Sequence, residues 1–201
     1  MKSTINRMDT NQIKSIISSA LCCEIPERKQ QFLGVFAQDE LINQNLFIPG
    51  KRRIVVLNNK PSNDPGEHWY MIGVDLRHKN DYHGFVFDSL AMPNIYRKAH
   101  DYFMVAHGTP KLNYILRNRA ATQQASLDSC GLHVLYGVLT MIKGDHALPK
   151  FLATFSDDML MNDCILLKNF VEFLKCSHNE SLLNDMQLSI KETVSYCINK
   201  K

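Results

Sequence analysis

Residues 122–139 read TQQASLDSCGLHVLYGVL, and the rest of the chain is organised around this stretch. Its first part is polar and turn-prone, whereas the part after Cys130 is apolar around most of a helical circumference, as in a helix buried inside a domain. Asp128 and Ser129 are favourable N-cap types, so we predict that Cys130 lies in the first turn of this helix. The unpaired N–H groups and the dipole there favour a thiolate. Cys130 is therefore a candidate nucleophile, with an inert small residue at a helix start as the alternative.

The composition is that of an ordinary globular protein, which we interpret as a single domain, 1–201. The hydrophobic content of 45% is enough for a sizeable core, and the net charge of +3 permits contact with nucleic acid without predicting it. The six cysteines form no CxxC pair and no zinc-like spacing with the eight histidines. We therefore predict no metal site and no cofactor.

The sequence also carries signals about location. The N-terminus shows no apolar run of signal-peptide length, and no segment is long and apolar enough to span a membrane. We therefore expect a protein that is not secreted and has no membrane partner. The cysteine pattern is typical of free thiols in a reducing compartment.

The order of hydrophobic patterns predicts an α+β domain. Asp9 and Gln12 form a capping box that opens the first helix. Strands are predicted at residues 53–57, 68–75, 84–88 and 112–116. Further helices are predicted at residues 93–108 and 149–155, after 156–158 and after 179–180. We interpret residues 32–47, which lack a clear period, as an irregular segment that covers the sheet.

Two polar residues at strand ends complete a candidate catalytic constellation with Cys130. His68 begins one predicted strand and Asp88 ends the next, 20 residues later (88 − 68). If these strands pair as a hairpin, the two side chains are cross-strand neighbours at one sheet edge. A cysteine nucleophile needs such a base and such an orienting group. The Cys130 N–H and a side-chain amide, Gln124 or Gln123, would hold the oxyanion of an acyl-transfer reaction.

Each of these residues also has a structural interpretation when it is taken alone. His68 beside a tryptophan often is a half-buried hydrogen-bonding residue, and Asp88 can simply cap a turn. His133 is an alternative base on the nucleophile helix itself, which we disfavour because such a residue more often packs. Asp75 and Asp81 are alternative orienting groups, but neither lies at the strand end opposite His68. The order and spacing of the full set favour catalysis.

The residues and their order resemble a known group of proteases. The matching pieces are His68-Trp69, Phe87-Asp88-Ser89, Gln123-Gln124 and Ser129-Cys130-Gly131. The order HW…D…QQ…CG is similar to that of cysteine proteases of the adenovirus maturation protease (adenain) and SUMO-protease group. Outside the motifs, FLGVF at 32–36 and TVSYC at 193–197 resemble segments of adenain.

The resemblance implies a mixed sheet surrounded by helices, with a site where the central helix meets the sheet. It implies that Cys130 is the nucleophile, His68 the base and Asp88 the group that orients the base. Gln124, or Gln123, would be the oxyanion donor, and Trp69 would form a wall of the substrate groove. It also implies a protease of a virus or virus-like transposable element that cleaves capsid or core precursors, commonly after glycine. Such an enzyme is expected in the virion or inside the infected cell, in the nucleus or cytoplasm.

The chain departs from adenain at two places. The orienting group is Asp88, as in SUMO proteases, where adenoviral enzymes have Glu. Adenain is activated by DNA and by a disulfide-linked viral peptide, so both are candidate partners here. The segment KLNYIL at 111–116, where the receiving cysteine aligns, contains no cysteine, so the disulfide link is not predicted.

Two alternative functions stay open. The first is a protease specific for ubiquitin-like or SUMO-like proteins, which the HW and DS pieces suit equally. The second is an inactive binding module associated with DNA or capsid. The short basic cluster Lys51-Arg52-Arg53 is its best feature, although such a cluster usually is just a solvated surface.

Overall fold

A five-stranded mixed sheet is the frame on which the candidate site is built. The computed structural model describes residues 8–105, 111–123 and 129–176, with side chains up to residue 170. The strands are β1 (Phe32–Phe36), β2 (Arg52–Asn58), β3 (Trp69–Asp75), β4 (His83–Phe87) and β5 (Tyr114–Arg117), and they lie in this order in the sheet. The outer pairs are parallel and the two inner pairs antiparallel. The predicted α+β class is confirmed.

Helices cover both faces of this sheet. They are α1 (Thr10–Ala20), α2 (Pro26–Lys29), α3 (Pro93–Val105), α4 (Cys130–Lys143), α5 (Leu148–Leu152) and α6 (Met159–Cys176), with 3₁₀ turns at Gln38–Asn43 and Lys79–Asp81. The predicted capping box of α1 is present, because Asp9 accepts from the Gln12 N–H at 2.8 Å and Gln12 accepts from the Asp9 N–H at 3.0 Å. The helix predicted after 179–180 lies outside the described residues. Among the described helices, none combines the length and apolar character needed to cross a membrane.

The interpretation of residues 32–47 as irregular is wrong at its start, because Phe32–Phe36 is the edge strand β1. This strand pairs in parallel with β2, and its register shifts between Phe32 and Gly34. Gly34 has a φ of +145°, a conformation that favours glycine. The bulge interrupts the alternation of side chains, which explains why the sequence shows no strand period here.

Helix α4, which begins at Cys130, is buried against the central strand β3 of the sheet. Side chains of β3 alternate between two cores, so Trp69 and Met71 face α4 whereas Tyr70 and Ile72 face the side of α3. Helices α1, α5 and α6 also pack on α4, which confirms the predicted buried central helix. A Cβ on Gly137 of α4 would lie 2.8 Å from Met71 Cε, so the bare glycine permits the close approach of helix and strand.

Gly73, in the middle of β3, is the glycine whose replacement we expect to be most costly for the fold. A Cβ there would lie 2.4 Å from the backbone oxygen of Arg53 and 2.4 Å from Phe85 Cζ. The backbone oxygen belongs to the neighbouring strand β2, so relief requires the two strands to separate. Gly73→Ala should lower the free energy of unfolding by roughly 1–3 kcal/mol, measured by urea denaturation. An unchanged unfolding midpoint would contradict this account of the packing.

Arg52 closes the end of α4 opposite Cys130. Its guanidinium is 1% exposed and donates to Met141 O at 2.5 Å, His146 O at 3.1 Å and Asp145 Oδ1 at 2.8 Å. The first two acceptors are backbone carbonyls at or just beyond the C-terminal turn of α4, where positive charge is stabilising. Arg52 is buried and Arg53 donates to a backbone oxygen of Gln30, whereas Lys51 is exposed. The interpretation of this cluster as a solvated surface is therefore wrong for Arg52.

Candidate active site

The β3–β4 hairpin brings His68 and Asp88 together at one edge of the sheet. His68 directly precedes β3 and Asp88 directly follows β4, and the antiparallel register places Met71 opposite Phe87. Nε2 of His68 lies 2.6 Å from Oδ1 of Asp88, and the two side chains are 5% and 0% exposed. This is the contact that the hairpin geometry predicts, although the catalytic roles of the two residues stay predictions.

Backbone N–H groups and the Asn118 side chain also hold Asp88 in place, in addition to His68. Its Oδ1 also accepts from the Leu90 N–H at 3.0 Å, and its Oδ2 accepts from the Met92 N–H at 2.7 Å. The Asn118 side chain donates to Asp88 O at 2.7 Å and accepts from Asp88 N at 3.1 Å. The carboxylate therefore has a single orientation relative to His68. Sequence reasoning missed Asn118, whose only signal is a polar residue directly after the short strand β5.

Cys130 begins α4 and completes the constellation. Its side chain is 6% exposed and interacts with the imidazole of His68. Because Nε2 of that ring faces Asp88, Nδ1 is the nitrogen available to the sulfur. Burial lowers the pKa of His68, but the hydrogen bonds to Asp88 and Cys130 and their charges outweigh it and raise the pKa to about 9. The ring is therefore protonated at neutral pH. A cation beside a cysteine favours the thiolate, which is the nucleophilic form.

Ser129 occupies the N-cap position of α4 but does not cap it. Its φ of −93° and ψ of 4° are not the extended values of an ordinary N-cap, and its side chain makes no capping bond. The hydroxyl instead donates to Asp163 Oδ1 of α6 at 2.5 Å. The Ser129 hydroxyl therefore caps neither Gly131 nor Leu132, and the Cys130 N–H at the first position of α4 is a candidate oxyanion donor. Asp128, the other predicted cap, lies outside the described residues.

Of the two glutamines, the structure describes Gln123 alone. Gln124 lies outside the described residues, so its predicted role as oxyanion donor stays a prediction. The Gln123 side chain is buried and its Oε1 accepts from Ser89 Oγ at 2.7 Å. The Thr122 and Gln123 N–H groups both donate to Ser89 O, at 2.8 and 3.2 Å. Ser89 thus ties the segment before the nucleophile to the residue that follows Asp88, and it orients the Gln123 amide.

Trp69 is packed beneath the N-terminal part of the chain. Its indole N–H donates to Met8 O at 2.8 Å, and the side chain is buried. The Met8 side chain also reaches α4, where its Sδ lies 3.2 Å from the position of a Cβ on Gly131. Met8 therefore lies beside both the tryptophan and the residue after Cys130. The predicted role of Trp69 as a groove wall stays a prediction.

The alternative base and orienting groups have other contacts. His133 is fully buried, with Nδ1 3.1 Å from Ser129 O and Nε2 3.3 Å from Thr122 O. Burial lowers the pKa of His133 to about 4, so its ring is neutral and engaged with backbone oxygens. Asp75 pairs with Arg77 at 2.6 Å and lies at the opposite end of β3 from His68. Asp81 accepts from the hydroxyl of Tyr114.

Of the other cysteines, the structure describes the side chains of Cys22, Cys23 and Cys164. Cys22 and Cys23 are exposed free thiols whose sulfur atoms lie 3.4 Å apart. Cys164 is disulfide-bonded, so the expectation of free thiols throughout is wrong for this residue. Within the described ranges, no group of three or more His, Cys, Asp or Glu side chains is placed to hold a metal ion.

The solved structures that resemble this chain include two with low sequence identity. No protein-family model and no curated protein matches the chain. HopZ1a, solved in complex with IP6, aligns with a TM-score of 0.45 and 11% identity over 68% of this chain and 45% of its own. The central domain of the uncharacterized Lpg1148 protein from Legionella pneumophila aligns with a TM-score of 0.47 and 13% identity over 75% of this chain and 96% of its own. The chain thus spans less than half of HopZ1a, and similarities this distant assign neither a family nor an activity.

Proposed function

We propose that this chain is a cysteine endopeptidase. The observation that carries the proposal is the buried contact of His68 with both Asp88 and Cys130, with the sulfur at the start of a helix. A nucleophile, a base and a group that orients the base are the parts that covalent acyl transfer requires. They come from three separate segments of the chain, so their convergence is not a consequence of sequence proximity.

The geometry supports a two-step reaction. The Cys130 thiolate attacks the scissile carbonyl carbon, and the oxyanion that forms is held by the Cys130 N–H and a glutamine amide. The tetrahedral intermediate collapses, the C–N bond breaks, and His68 gives its proton to the leaving amine. Water, deprotonated by the now neutral His68, then attacks the thioester carbon. The acid product leaves, and the thiolate and imidazolium are restored.

For the substrate, we propose capsid or core precursors of a virus or virus-like element, cut close to a glycine. The support for this finer assignment is the resemblance of the order HW…D…QQ…CG and of the segments 32–36 and 193–197 to adenain. The enzyme would act in the virion or in the interior of the infected cell, with DNA or a viral peptide as a candidate activator.

A protease for ubiquitin-like or SUMO-like proteins is the second candidate. The observation in its favour is the orienting group, because Asp88 is the residue type that SUMO proteases use at this place. The two candidates share their chemistry and differ in the substrate. A SUMO–fluorophore conjugate and a glycine-containing capsid-precursor peptide, assayed at equal concentration, separate them by the ratio of kcat/KM.

The first test of the proposal is the reactivity of the thiols. Cys130 is buried whereas Cys22 and Cys23 are exposed, so accessibility alone predicts that iodoacetamide labels the two exposed thiols first. A thiolate paired with the His68 imidazolium reverses that order at neutral pH. We expect peptide mass mapping to show faster labelling of Cys130 than of Cys22 or Cys23. Slower labelling of Cys130, together with no cleavage of any peptide, would reject the proposal.

The pH dependence of the two reactions should differ. His68 must be protonated to release the leaving amine, and its pKa is raised to about 9, so kcat/KM for peptide cleavage should fall as the pH rises through about 9. Alkylation of Cys130 releases no amine and needs no proton from His68, so its rate should not fall there. Rates measured from pH 7 to 10.5 on the same preparation check both. A parallel decline of the two rates would indicate unfolding instead.

A further inference from the structure

A second buried polar cluster lies behind the nucleophile, and the proposed mechanism does not use it. It consists of Ser129, His133, Asn162 and Asp163, each at most 3% exposed; we refer to it as the Asp163 cluster. The geometry points to a positioning role: Asp163 holds the Ser129 hydroxyl away from the first turn of α4, so that no serine oxygen lies beside the Cys130 N–H, where the oxyanion would be bound. This inference deepens the proposed function and rests on it.

The contact between Ser129 and Asp163 carries the argument. A serine at the N-cap ordinarily accepts with its side-chain oxygen from the second or third N–H of the helix, which here belong to Gly131 and Leu132. Here the hydroxyl donates to Asp163 Oδ1 at 2.5 Å, and the ψ of 4° turns Ser129 away from the extended conformation that capping needs. The carboxylate of Asp163 therefore competes with the helix for the hydroxyl, and it succeeds because a charge-assisted hydrogen bond is stronger.

The rest of the cluster fixes both ends of the segment that precedes Cys130. Ser129 O accepts from the His133 backbone N–H at 3.1 Å, and His133 Nδ1 lies 3.1 Å from the same oxygen. At the other end, Thr122 O accepts from Asn162 Nδ2 at 3.1 Å and lies 3.3 Å from His133 Nε2. Asn162 and Asp163 are adjacent on α6, so this helix reaches Thr122 through one residue and Ser129 through the next.

Packing alone does not account for this arrangement. A buried polar side chain costs free energy unless it is hydrogen-bonded, and apolar residues would join α4 to α6 without that cost. The polar contacts converge on the backbone and hydroxyl directly before Cys130. They also leave Ser129, a residue type that commonly caps helices, without a capping bond, which costs roughly 1 kcal/mol of helix stability. A function at the first turn of α4 explains that cost.

The experiment compares Asp163→Ala, Asp163→Asn and the double variant Ser129→Ala/Asp163→Ala with the wild-type chain. In Asp163→Ala the freed hydroxyl can cap α4 at the Gly131 or Leu132 N–H, which places a serine oxygen beside the oxyanion and weakens the positive potential of the helix end. We expect kcat for peptide cleavage to fall roughly 10- to 100-fold, the effect of weakening one oxyanion donor, with KM changed by less than about threefold. The rate of Cys130 alkylation should stay within about threefold, because iodoacetamide forms no oxyanion.

Two further results would distinguish positioning from general support of the fold. Asp163→Asn retains an oxygen that accepts from Ser129 and should keep most of the wild-type kcat. The double variant removes the competing hydroxyl and should regain at least about fivefold in kcat over Asp163→Ala, which mere loss of packing does not predict. Asn169→Ala, on the exposed side of α6, is the matched control for an alanine on this helix. If Asp163→Ala does not fold, Asp163→Leu with and without Ser129→Ala gives the same comparison.

The outcomes separate this inference from the proposed function. Equal losses in cleavage and alkylation, no loss in Asp163→Ala, or no recovery in the double variant would each overturn the positioning role. If the wild-type chain alkylates selectively at Cys130 but cleaves no peptide, the endopeptidase proposal fails. The inference is then decided with a peptide aldehyde, whose hemithioacetal with Cys130 places an oxygen at the Cys130 N–H. Its inhibition constant should weaken in Asp163→Ala and recover in the double variant, and an unchanged constant would reject the role.

Discussion

Cys130→Ala should abolish peptide cleavage, with kcat/KM reduced at least roughly 10⁴-fold, the scale of removing a covalent nucleophile. The sulfur is the only group of the constellation that forms a bond to substrate, so no neighbour can replace it. The variant should fold, because Cys130 is small, lies at the first position of α4 and is replaced by a strong helix former. Cleavage of a glycine-containing precursor peptide, followed by chromatography, measures the effect.

The same substitution should also change the titration of His68. A hydrogen bond to Cys130 and the charge of that group are two of the causes that raise the pKa of His68. In Cys130→Ala the pKa should therefore move down from about 9, as followed by NMR of the imidazole. Cys23→Ala, at an exposed free thiol, is the control and should change neither quantity. Cleavage retained in Cys130→Ala would exclude the nucleophile, and an unchanged His68 would show that the two side chains do not interact in solution.

The hairpin that carries His68 and Asp88 could be predicted because its signals are local. Both strands are continuous β-rich runs, and the short polar link between them permits only an antiparallel neighbour. The register then follows from the pairing, so the two strand-end residues meet without any long-range information. Helix α4 could be predicted for the same reason, since its apolar circumference is a property of consecutive residues.

The residues that support the site could not be predicted in this way. Asn118 contacts the backbone of Asp88 across 30 positions, and Asp163 contacts Ser129 across 34. Neither belongs to a motif, and each becomes visible only when β5 or α6 is placed in three dimensions. Ser129 was expected to cap α4 from its residue type, and the competing carboxylate of Asp163 reverses that local preference. Tertiary context overrides a propensity of about 1 kcal/mol without difficulty.

For Arg52 the sequence pattern is misleading, because a run of basic residues predicts a position on the protein surface. Three consecutive basic residues usually face solvent, yet Arg52 lies in a strand whose alternation points it at the C-terminal end of α4. There it finds two backbone carbonyls and the carboxylate of Asp145. A sequence gives the charge of such a residue but not the acceptors that make its burial possible.

Asp88→Asn should reduce kcat/KM roughly 10²- to 10⁴-fold, an effect second only to that of Cys130→Ala. The two carboxylate oxygens accept from three donors, the His68 ring and the N–H groups of Leu90 and Met92. An asparagine has one acceptor oxygen, and when that oxygen stays at the Met92 N–H, the shorter of the two backbone contacts, its NH₂ group replaces Oδ1 beside both the Leu90 N–H and His68. The NH₂ group then points at His68 Nε2 and donates to it. This forces the ring proton onto Nδ1, the nitrogen that faces Cys130.

A histidine in that tautomer cannot take a proton from the thiol, so both the thiolate and the acid for the leaving amine are lost. We therefore expect alkylation of Cys130 at neutral pH to slow together with cleavage, in contrast to Asp163→Ala, where cleavage alone declines. Asp157→Asn, an exposed aspartate before α6, is the matched control for the loss of one carboxylate. Because Asn retains the turn contact with Met92 and loses the one with Leu90, the thermal midpoint should fall modestly. Near wild-type alkylation and cleavage in a folded Asp88→Asn would show that His68 reaches Cys130 in the correct tautomer without this carboxylate.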